Sequence, residues 1–339
     1  MTPFDLTAWS VPRLCYASAE MSRVSVIIPN WNRRELLAAC LDALSEQSDT
    51  GHGVIVVDNG SRDGSAELVR SRYPHVRLVA LERNTGFAAA VNRGIRESRS
   101  ELVATLNNDV VVHKDWLAAL VAAADRHPRA GAFASRLVST EDPGRIDSAG
   151  DRLARSGRAY GIGRGQRDGL AFAAEREVFG ATAGAALYRR ALFEDVGLFD
   201  ESYFAYVEDT DLAWRAQSRG WRAVYVPQAL ASHVGSASLR GREELRSLLC
   251  LRNHTLFLLK CYPLALVPRH AAAILSGYAC ELGFAFGAAR ARRGSLRAAL
   301  GVSGALAGAA ACAPLMLGRR VGLARRRTRP LAELAALLE

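Results

Sequence analysis

The feature that most constrains this chain is an alternation. Short, almost uncharged β-branched runs are separated by segments with apolar residues at helical spacing. Residues 24–29 (VSVIIP) and 54–58 (VIVVD) read as buried parallel strands, and 76–81 and 102–106 as a third and a fourth strand. Between them, 33–46 places Leu37, Cys40, Leu41 and Leu44 on one helical face. A second helix, capped by Ser61 or Asp63, runs to Arg72, and 86–98 is an Ala-rich third. Four strands alternating with helices predict a parallel, doubly wound α/β sheet. Ligands of such sheets sit at the carboxyl ends of the strands. Here all four ends are polar: Pro29-Asn30-Trp31-Asn32, Asp58-Asn59-Gly60-Ser61, Glu82-Arg83-Asn84 and Asn107-Asn108-Asp109. Each alone also reads as a turn; four in register favour a site for a nucleotide-sized ligand.

The second half is patterned differently. A helix is expected at 116–126, a strand at 131–138, a strand at 178–188, a helix at 209–219 and a strand at 223–226. The Gly- and Arg-rich stretch 139–176 carries Gly157, Gly161, Gly163 and Gly165. No strand leads into these glycines and no helix opens after them, so they read as loop and not as a dinucleotide fingerprint. Trp214 and Trp221 are expected in the core, whereas the aromatic stretch 199–204 fits a sugar shelf or packing equally.

Residues 241–339 hold 15 basic and 5 acidic residues, which accounts for the whole net charge of +10 and leaves the first 240 residues neutral. A neutral body argues against nucleic acid as a partner. A basic, apolar tail points to an anionic membrane surface. Within it, 270–290 carries only Glu281 before its closing Arg290, and 298–318 carries no charge over 21 residues. That length can cross a bilayer. Its Ala and Gly content, Pro314 and the arginines on both sides instead predict helices lying on an anionic cytoplasmic leaflet. Six scattered cysteines without a C-x-x-C pair fit a reduced, cytosolic setting, and no apolar signal core opens the chain. The expected organisation is a disordered leader at 1–22 (with Met21 an alternative start), a body at 23–240 divided at 112, and a helical tail at 241–339. The sequence leaves the oligomeric state open.

Five motifs in order, VIIPNWNR (26–33), VVDNGSRDGS (56–65), NTGFA (84–88), LNNDV (106–110) and EDTDLAWR (208–215), give the chain its family likeness. It resembles family 2 glycosyltransferases of GT-A fold, and most of all their bacterial rhamnosyltransferase-like branch, from residue 24 to about 238. The resemblance implies a Rossmann-like, mostly parallel sheet with a nucleotide-binding half (23–112), an acceptor half (113–240) and a membrane-associating helical tail. It also implies inverting transfer of a sugar, best matched by rhamnose from dTDP-rhamnose, assisted by Mg2+ or Mn2+. The acceptor would be a hydroxyl of a cell-surface glycan or lipid-linked glycan, at the inner face of the cytoplasmic membrane.

Residue by residue, the resemblance makes Asp58 the acceptor for the imide N–H of uracil or thymine. Pro29 and Asn32 would line base and ribose, and Arg83 and Asn84 would reach donor hydroxyls or phosphate. Asn30 and Asn108 belong to the same nucleotide site. Asn107-Asn108-Asp109 stands where the family carries an Asp-x-Asp metal motif, with Asn107 replacing the first acid and Asp109 the lone carboxylate. His233 matches a metal-binding histidine. Asp209 would be the general base. Glu208 and Asp211, three apart and on one helical face, would orient the acceptor or the base, with Asn107 in a supporting place. Acids in a first helical turn also suit the helix dipole without any catalytic role. Two other functions compete. A sugar nucleotidyltransferase would open with a Gly-rich triphosphate loop where this chain has Pro-Asn-Trp-Asn. A non-catalytic nucleotide-sugar-binding protein would not need Asp58, Asp109 and Asp209 together.

Overall fold

The structure, a computed structural model, describes residues 22–234 and 243–339. The expected leader and the boundary at 240 lie outside the described residues. The first half runs β1 (Val24–Asn30), α1 (Arg34–Ser45), β2 (His52–Asp58), α2 (Ser65–Arg72), β3 (Arg77–Ala80), α3 (Phe87–Glu97) and β4 (Leu102–Leu106). All contacts among its strands are parallel, in the order β3-β2-β1-β4. The uncharged runs are strands because both faces are covered. Val26, Val54 and Val56 pack under α1 and α2, and Ile27, Ile55 and Val57 pack under α3. Gly94 lets α3 lie flat on the sheet, since a Cβ there would sit 2.3 Å from the Ile27 methyl.

The second half contains β5 (Val110–Val112), α4 (Trp116–Arg126), β6 (Ala130–Ser139), β7 (Ile146–Ser148), β8 (Asp151–Leu153), β9 (Ala159–Gly161), β10 (Arg176–Val178), β11 (Ala185–Arg189), α5 (Arg190–Val196), α6 (Glu208–Ser218) and β12 (Arg222–His233). β11 joins the halves, running antiparallel to both β4 and β6, and the sheet continues to β12 and β10. The single strand expected at 178–188 is therefore two. β10 pairs at the edge with β12 and β11 pairs in the middle with β4 and β6, so the chain must cross the sheet between them. β12 is longer than expected. It continues past Pro227 through a register shift between Val226 and Leu230, the kind of irregularity at which a strand tolerates proline. The Gly- and Arg-rich stretch is not featureless: β7 extends the sheet beside β6, and β8 and β9 form a hairpin.

The tail forms α7 (Glu243–Lys260), α8 (Val267–Arg293), α9 (Ser295–Arg326) and α10 (Leu331–Ala336). It shares a core with the acceptor half. Leu256, Phe257, Tyr262, Met316 and Leu334 are buried in one cluster with Leu153, Phe179, Tyr203 and Trp214. The Arg320 guanidinium donates to the carbonyls of Leu258, Leu259 and Tyr262, and the Glu339 N–H donates to the Leu153 carbonyl at 3.0 Å.

Candidate active site

The carboxyl ends of β1 and β4 open into a cavity of about 530 Å³, walled on the far side by the segment before α6. Amide side chains stiffen its rim. Asn108 Nδ2 donates to Asn30 Oδ1 at 2.6 Å, and Asn30 Nδ2 donates to Asp58 Oδ1 at 3.1 Å. The other Asp58 oxygen accepts the Ser61 backbone N–H at 3.1 Å, which ties down the turn after β2. Asn59 Oδ1 accepts the Thr85 N–H at 2.8 Å, and its Nδ2 donates to the Gly86 carbonyl at 3.0 Å. Asn84 Oδ1 accepts from Asn59 Nδ2 at 3.1 Å and from the Gly86 N–H at 2.9 Å. Gly86, at φ +91°, is required here because a Cβ would meet the Phe204 ring and carbonyl at 2.6 Å. Asp63 accepts the backbone N–H groups of Arg33 and Arg34 at 2.6 and 2.9 Å as well as that of Ser65. It thus fixes the starts of both α1 and α2, while Asn32 and Arg33 sit at φ 47° and 123°.

Of the residues singled out from sequence, Pro29, Asn30, Asn84, Asn107, Asn108, Asp109, Glu208, Asp209 and His233 line this cavity. Asn32, Asp58, Arg83 and Asp211 stand outside its wall. Asp211 in particular is sealed from solvent, with its carboxylate 2.8 Å from Arg215 Nε and 2.5 Å from Lys260 Nζ. The pairing of Glu208 with Asp211 and away from Asp209 is therefore corrected. Glu208 and Asp209 face the cavity from the first turn of α6, and Asp211 points beneath it toward Arg215 and Lys260. Of the aromatic stretch 199–204, Tyr203 and Phe199 are core and Phe204 alone reaches the cavity wall.

A second cavity of similar volume lies between the β8–β9 hairpin and the tail, and it meets the first at Asp151, Tyr206, Val207 and Asp209. Three acids gather at the junction. Burial pushes Glu208 and Asp151 well above the usual carboxylate range, and the Asp209 charge pushes both further. Burial raises Asp209 too, but the Thr210 and Ala183 backbone N–H groups favour its ionised form; the first is 2.7 Å away. All three carboxyls are thus shifted upward, and Asp209 is the one with the most hydrogen bonds to its ionised form. Glu208 Oε2 has no hydrogen-bond partner among the described residues.

At the β4 end, His233 Nε2 stands 3.6 Å from Asp109 and its Nδ1 stands 2.7 Å from Asp147. Burial lowers His233, but the two carboxylates outweigh it and hold the imidazole up at about 9. Asp109 and His233 lie side by side on the cavity wall; Nε2 could ligate a cation only on giving up its proton, with Asp147 at the second ring nitrogen as an outer partner is in metal sites. Among the described residues no group of three or more His, Cys, Asp or Glu is arranged around one ion. These residues fit a divalent cation that takes part of its shell from a bound diphosphate.

Sequence reasoning missed Asp147 and Asp151. They are the only acids between residues 143 and 167, among six arginines. That isolation is the signal that sets them apart from a solvated charge run.

A parallel half with a polar carboxyl edge, joined through one antiparallel strand to an acid-bearing half, defines a glycosyltransferase of GT-A fold. The chain belongs to glycosyl transferase family 2, whose family model matches residues 25–197. The N-acetylglucosaminyl-diphospho-decaprenol L-rhamnosyltransferase of Mycobacterium tuberculosis is 34% identical over 215 residues, 57% of this chain and 70% of that protein. The O-antigen biosynthesis protein RfbC of Myxococcus xanthus is 30% identical over 238 residues, 67% of this chain and 18% of that protein. Among solved structures, the mannosyltransferase PcManGT of Pyrobaculum calidifontis, in complex with GDP-Man and Mn2+, matches with a TM-score of 0.53 at 24% identity. That match covers 96% of this chain and 90% of the other and speaks to the fold.

Proposed function

We propose that the protein is an inverting rhamnosyltransferase. It would move rhamnose from dTDP-rhamnose to a sugar hydroxyl of a lipid-diphosphate-linked cell-surface glycan. The observation that carries this reading is the place of Asp209, a buried carboxyl where two cavities meet. The first cavity, along β1 and β4, suits the donor. Pro29 and Asn30 line it toward base and ribose, with Asn32 and Asp58 beyond the wall at the adjoining β1–β2 edge. Asn84 and Asn108 lie toward phosphates and sugar, with Arg83 outside the wall beside them. The second cavity suits the acceptor. Arg152, Arg158, Arg164 and Arg246 line it, and it opens toward the tail helices at Cys250, His254 and Glu281. The identity of the Mycobacterium tuberculosis relative supports the donor and acceptor classes.

In this reading Asp209 takes the proton from the acceptor hydroxyl as that oxygen attacks C1 and the nucleoside diphosphate leaves from the opposite face. No covalent intermediate forms, so one base suffices. Glu208 stands beside it in the same cavity wall, where burial and the Asp209 charge disfavour a second negative charge. Asp109 and His233 would hold a divalent cation, which when bound offsets the charge growing on the departing diphosphate. A panel of nucleotide sugars, offered with and without crude lipid-linked acceptor, tests the reading. Acceptor-dependent release of nucleoside diphosphate from one deoxythymidine or uridine donor is expected. Release of pyrophosphate would point to a nucleotidyltransferase instead.

Metal dependence follows from the Asp109–His233 pair. Excess chelator is expected to abolish turnover, and Mn2+ or Mg2+ to restore it. Asp109→Ala should require at least tenfold more metal for half-maximal rate, by loss of about 1–3 kcal/mol from a buried charged contact. Full activity in chelator, with Asp109→Ala unimpaired, would remove the cation from the account.

Membrane association is assigned to the α8–α9 hairpin. Both helices are long and apolar enough to cross a bilayer by length and composition. Their bodies are nevertheless tied to the protein. Glu281 of α8 pairs with Arg158 at 2.8 Å, Cys312 of α9 lies 3.4 Å from Arg252, and Arg319 binds Asp200 at 2.6 Å. Between Glu281 and Gly301, where α9 abuts Leu248 of α7, residues 282–300 form the hairpin turn, with Phe284, Leu296 and Leu300 60, 76 and 64% exposed. Neither arm of that turn approaches the ~20 residues that span a bilayer. Exposed Arg290, Arg292 and Arg297 beside those apolar side chains suit an anionic surface, at about 1 kcal/mol each and less in salt. Replacing Phe284, Leu296 and Leu300 together by Ser is expected to lower sedimentation with anionic vesicles at least tenfold, and high salt to lower that of the unaltered protein. Equal partitioning of the two proteins would remove the hairpin as the contact. Extraction only by detergent would indicate a true span.

A further inference from the structure

We propose that Asn253, on α7 of the tail, is a positioning residue for the catalytic base. It holds the backbone of residues 203–207 in a strained shape that sets Asp209 at the junction of the two cavities. The inference rests on the reading of Asp209 as base.

Three non-glycine residues of this segment, Phe204, Tyr206 and Val207, have φ of 64°, 71° and 71°. For bulky residues, and for a β-branched valine above all, that region is costly. Such conformations persist only where the surroundings over-determine them. The segment is also functional wall: Tyr206 and Val207 line both cavities, and Val207 caps the helix whose second residue is Asp209. Gly86 and Ala88 press on it from the donor side, the Ala88 N–H donating to the Phe204 carbonyl at 3.3 Å.

From behind, it is gripped by one side chain. Asn253 is fully buried, and its Nδ2 lies 2.8 Å from each of the carbonyl oxygens of Tyr203, Ala205 and Tyr206. Its Oδ1 is itself fixed by Arg252 Nη1 at 2.8 Å, and the same nitrogen donates to the Ser202 carbonyl at 2.9 Å. The packing of α7 does not need this amide, because Leu251, Leu256 and Phe257 already bury its apolar face. All the donor capacity of Asn253 is spent on the segment that leads into α6. Holding that backbone fixes the entry to the helix and hence the position of the base. A misplacement of about 1 Å costs on the order of 10²-fold in rate.

The test compares full-length Asn253→Asp, which keeps the shape and removes the donor, with Asp209→Asn and the unaltered protein. Asn253→Asp is expected to lower kcat roughly 10- to 100-fold, with affinity for the nucleoside diphosphate unchanged within about twofold by calorimetry. Amide hydrogen exchange is expected to rise in residues 203–209 and to stay unchanged in β1–β4. Near-normal kcat and unchanged exchange in Asn253→Asp, with Asp209→Asn inactive, would overturn the positioning role and leave the base in place. A normally active Asp209→Asn would overturn the reading of the base itself. Should Asn253→Asp fail to fold, Arg252→Gln loosens the same grip from the half-buried side. A smaller loss of kcat with the same local rise in exchange is then expected, and no change in either would overturn the proposal.

Discussion

Asp209→Asn is expected to lower turnover by about 10²- to 10⁴-fold, the range for loss of a general base. Binding of nucleoside diphosphate should be unchanged within twofold, because the residues assigned to base and ribose stand at the β1–β2 edge of the sheet. Steady-state kinetics and calorimetry on the same preparation separate the two effects. The pH profile carries a second signature. Burial raises Asp209 above the ordinary aspartate range, and the base works only when deprotonated. Turnover should therefore rise with pH along an acid limb displaced upward from that of a solvent-exposed aspartate, and this limb should vanish in the variant. Near-normal turnover in Asp209→Asn would show that another group takes the proton.

Lys260→Met is expected to destabilise the fold by about 3–5 kcal/mol, the cost of breaking a buried ion pair by removing one partner. Lys260 Nζ lies 2.6 Å from Asp200 and 2.5 Å from Asp211, and all three side chains are almost completely buried. Arg319 and Arg215 complete the cluster, but neither can neutralise both carboxylates alone. Lys260→Arg should also destabilise despite keeping the charge, because a planar guanidinium does not fit where a compact ammonium bridges two carboxylates. Burial opposes ionisation of Asp200 and Asp211, yet the cations beside them hold both below the usual range. Burial likewise opposes the charge on Lys260, and the two carboxylates raise it. The cluster therefore stabilises the fold above the ordinary aspartate pKa and is lost as pH falls through the depressed values. At the other extreme it weakens as pH rises through that of Lys260. Denaturant melts across pH check both points, and an unchanged midpoint for Lys260→Met would contradict them.

This cluster shows where sequence reading stops. β1, β2 and β4 were legible because strands covered on both faces must be uncharged, and their polar ends then stand out; β3, half-exposed at the sheet edge with Arg77, was legible from its place in the alternation. α4 was legible because Trp116, Leu117 and Leu120 repeat at helical spacing and are buried as a face. Nothing local to Asp211 says that its partner is a lysine from α7, 49 residues along the chain, although Lys260 is one of only two lysines in an arginine-rich protein. Helical spacing grouped Asp211 with Glu208. Tertiary packing instead pulls Asp211 under α6 and leaves Glu208 beside Asp209 in the cavity. Asp147 and Asp151 were hidden because a glycine-rich segment has no periodicity to place them. They reach the site only through the pairing of β7 with β6 and the turn into β8. α9 was legible as apolar helix but not as part of the catalytic body, because its buried face is built from small residues such as Ala298 and Ala309 with Met316.

The account stands most directly on the stereochemistry of transfer. The purified protein is supplied with the donor that the panel selects and a divalent cation, and the anomeric configuration of the new glycosidic bond is read by NMR. The account predicts a configuration opposite to that of the donor, with product from Asp209→Asn formed about 10²- to 10⁴-fold more slowly. A product that keeps the donor's configuration would require a covalent or front-face route and would contradict the assignment of Asp209 as sole base.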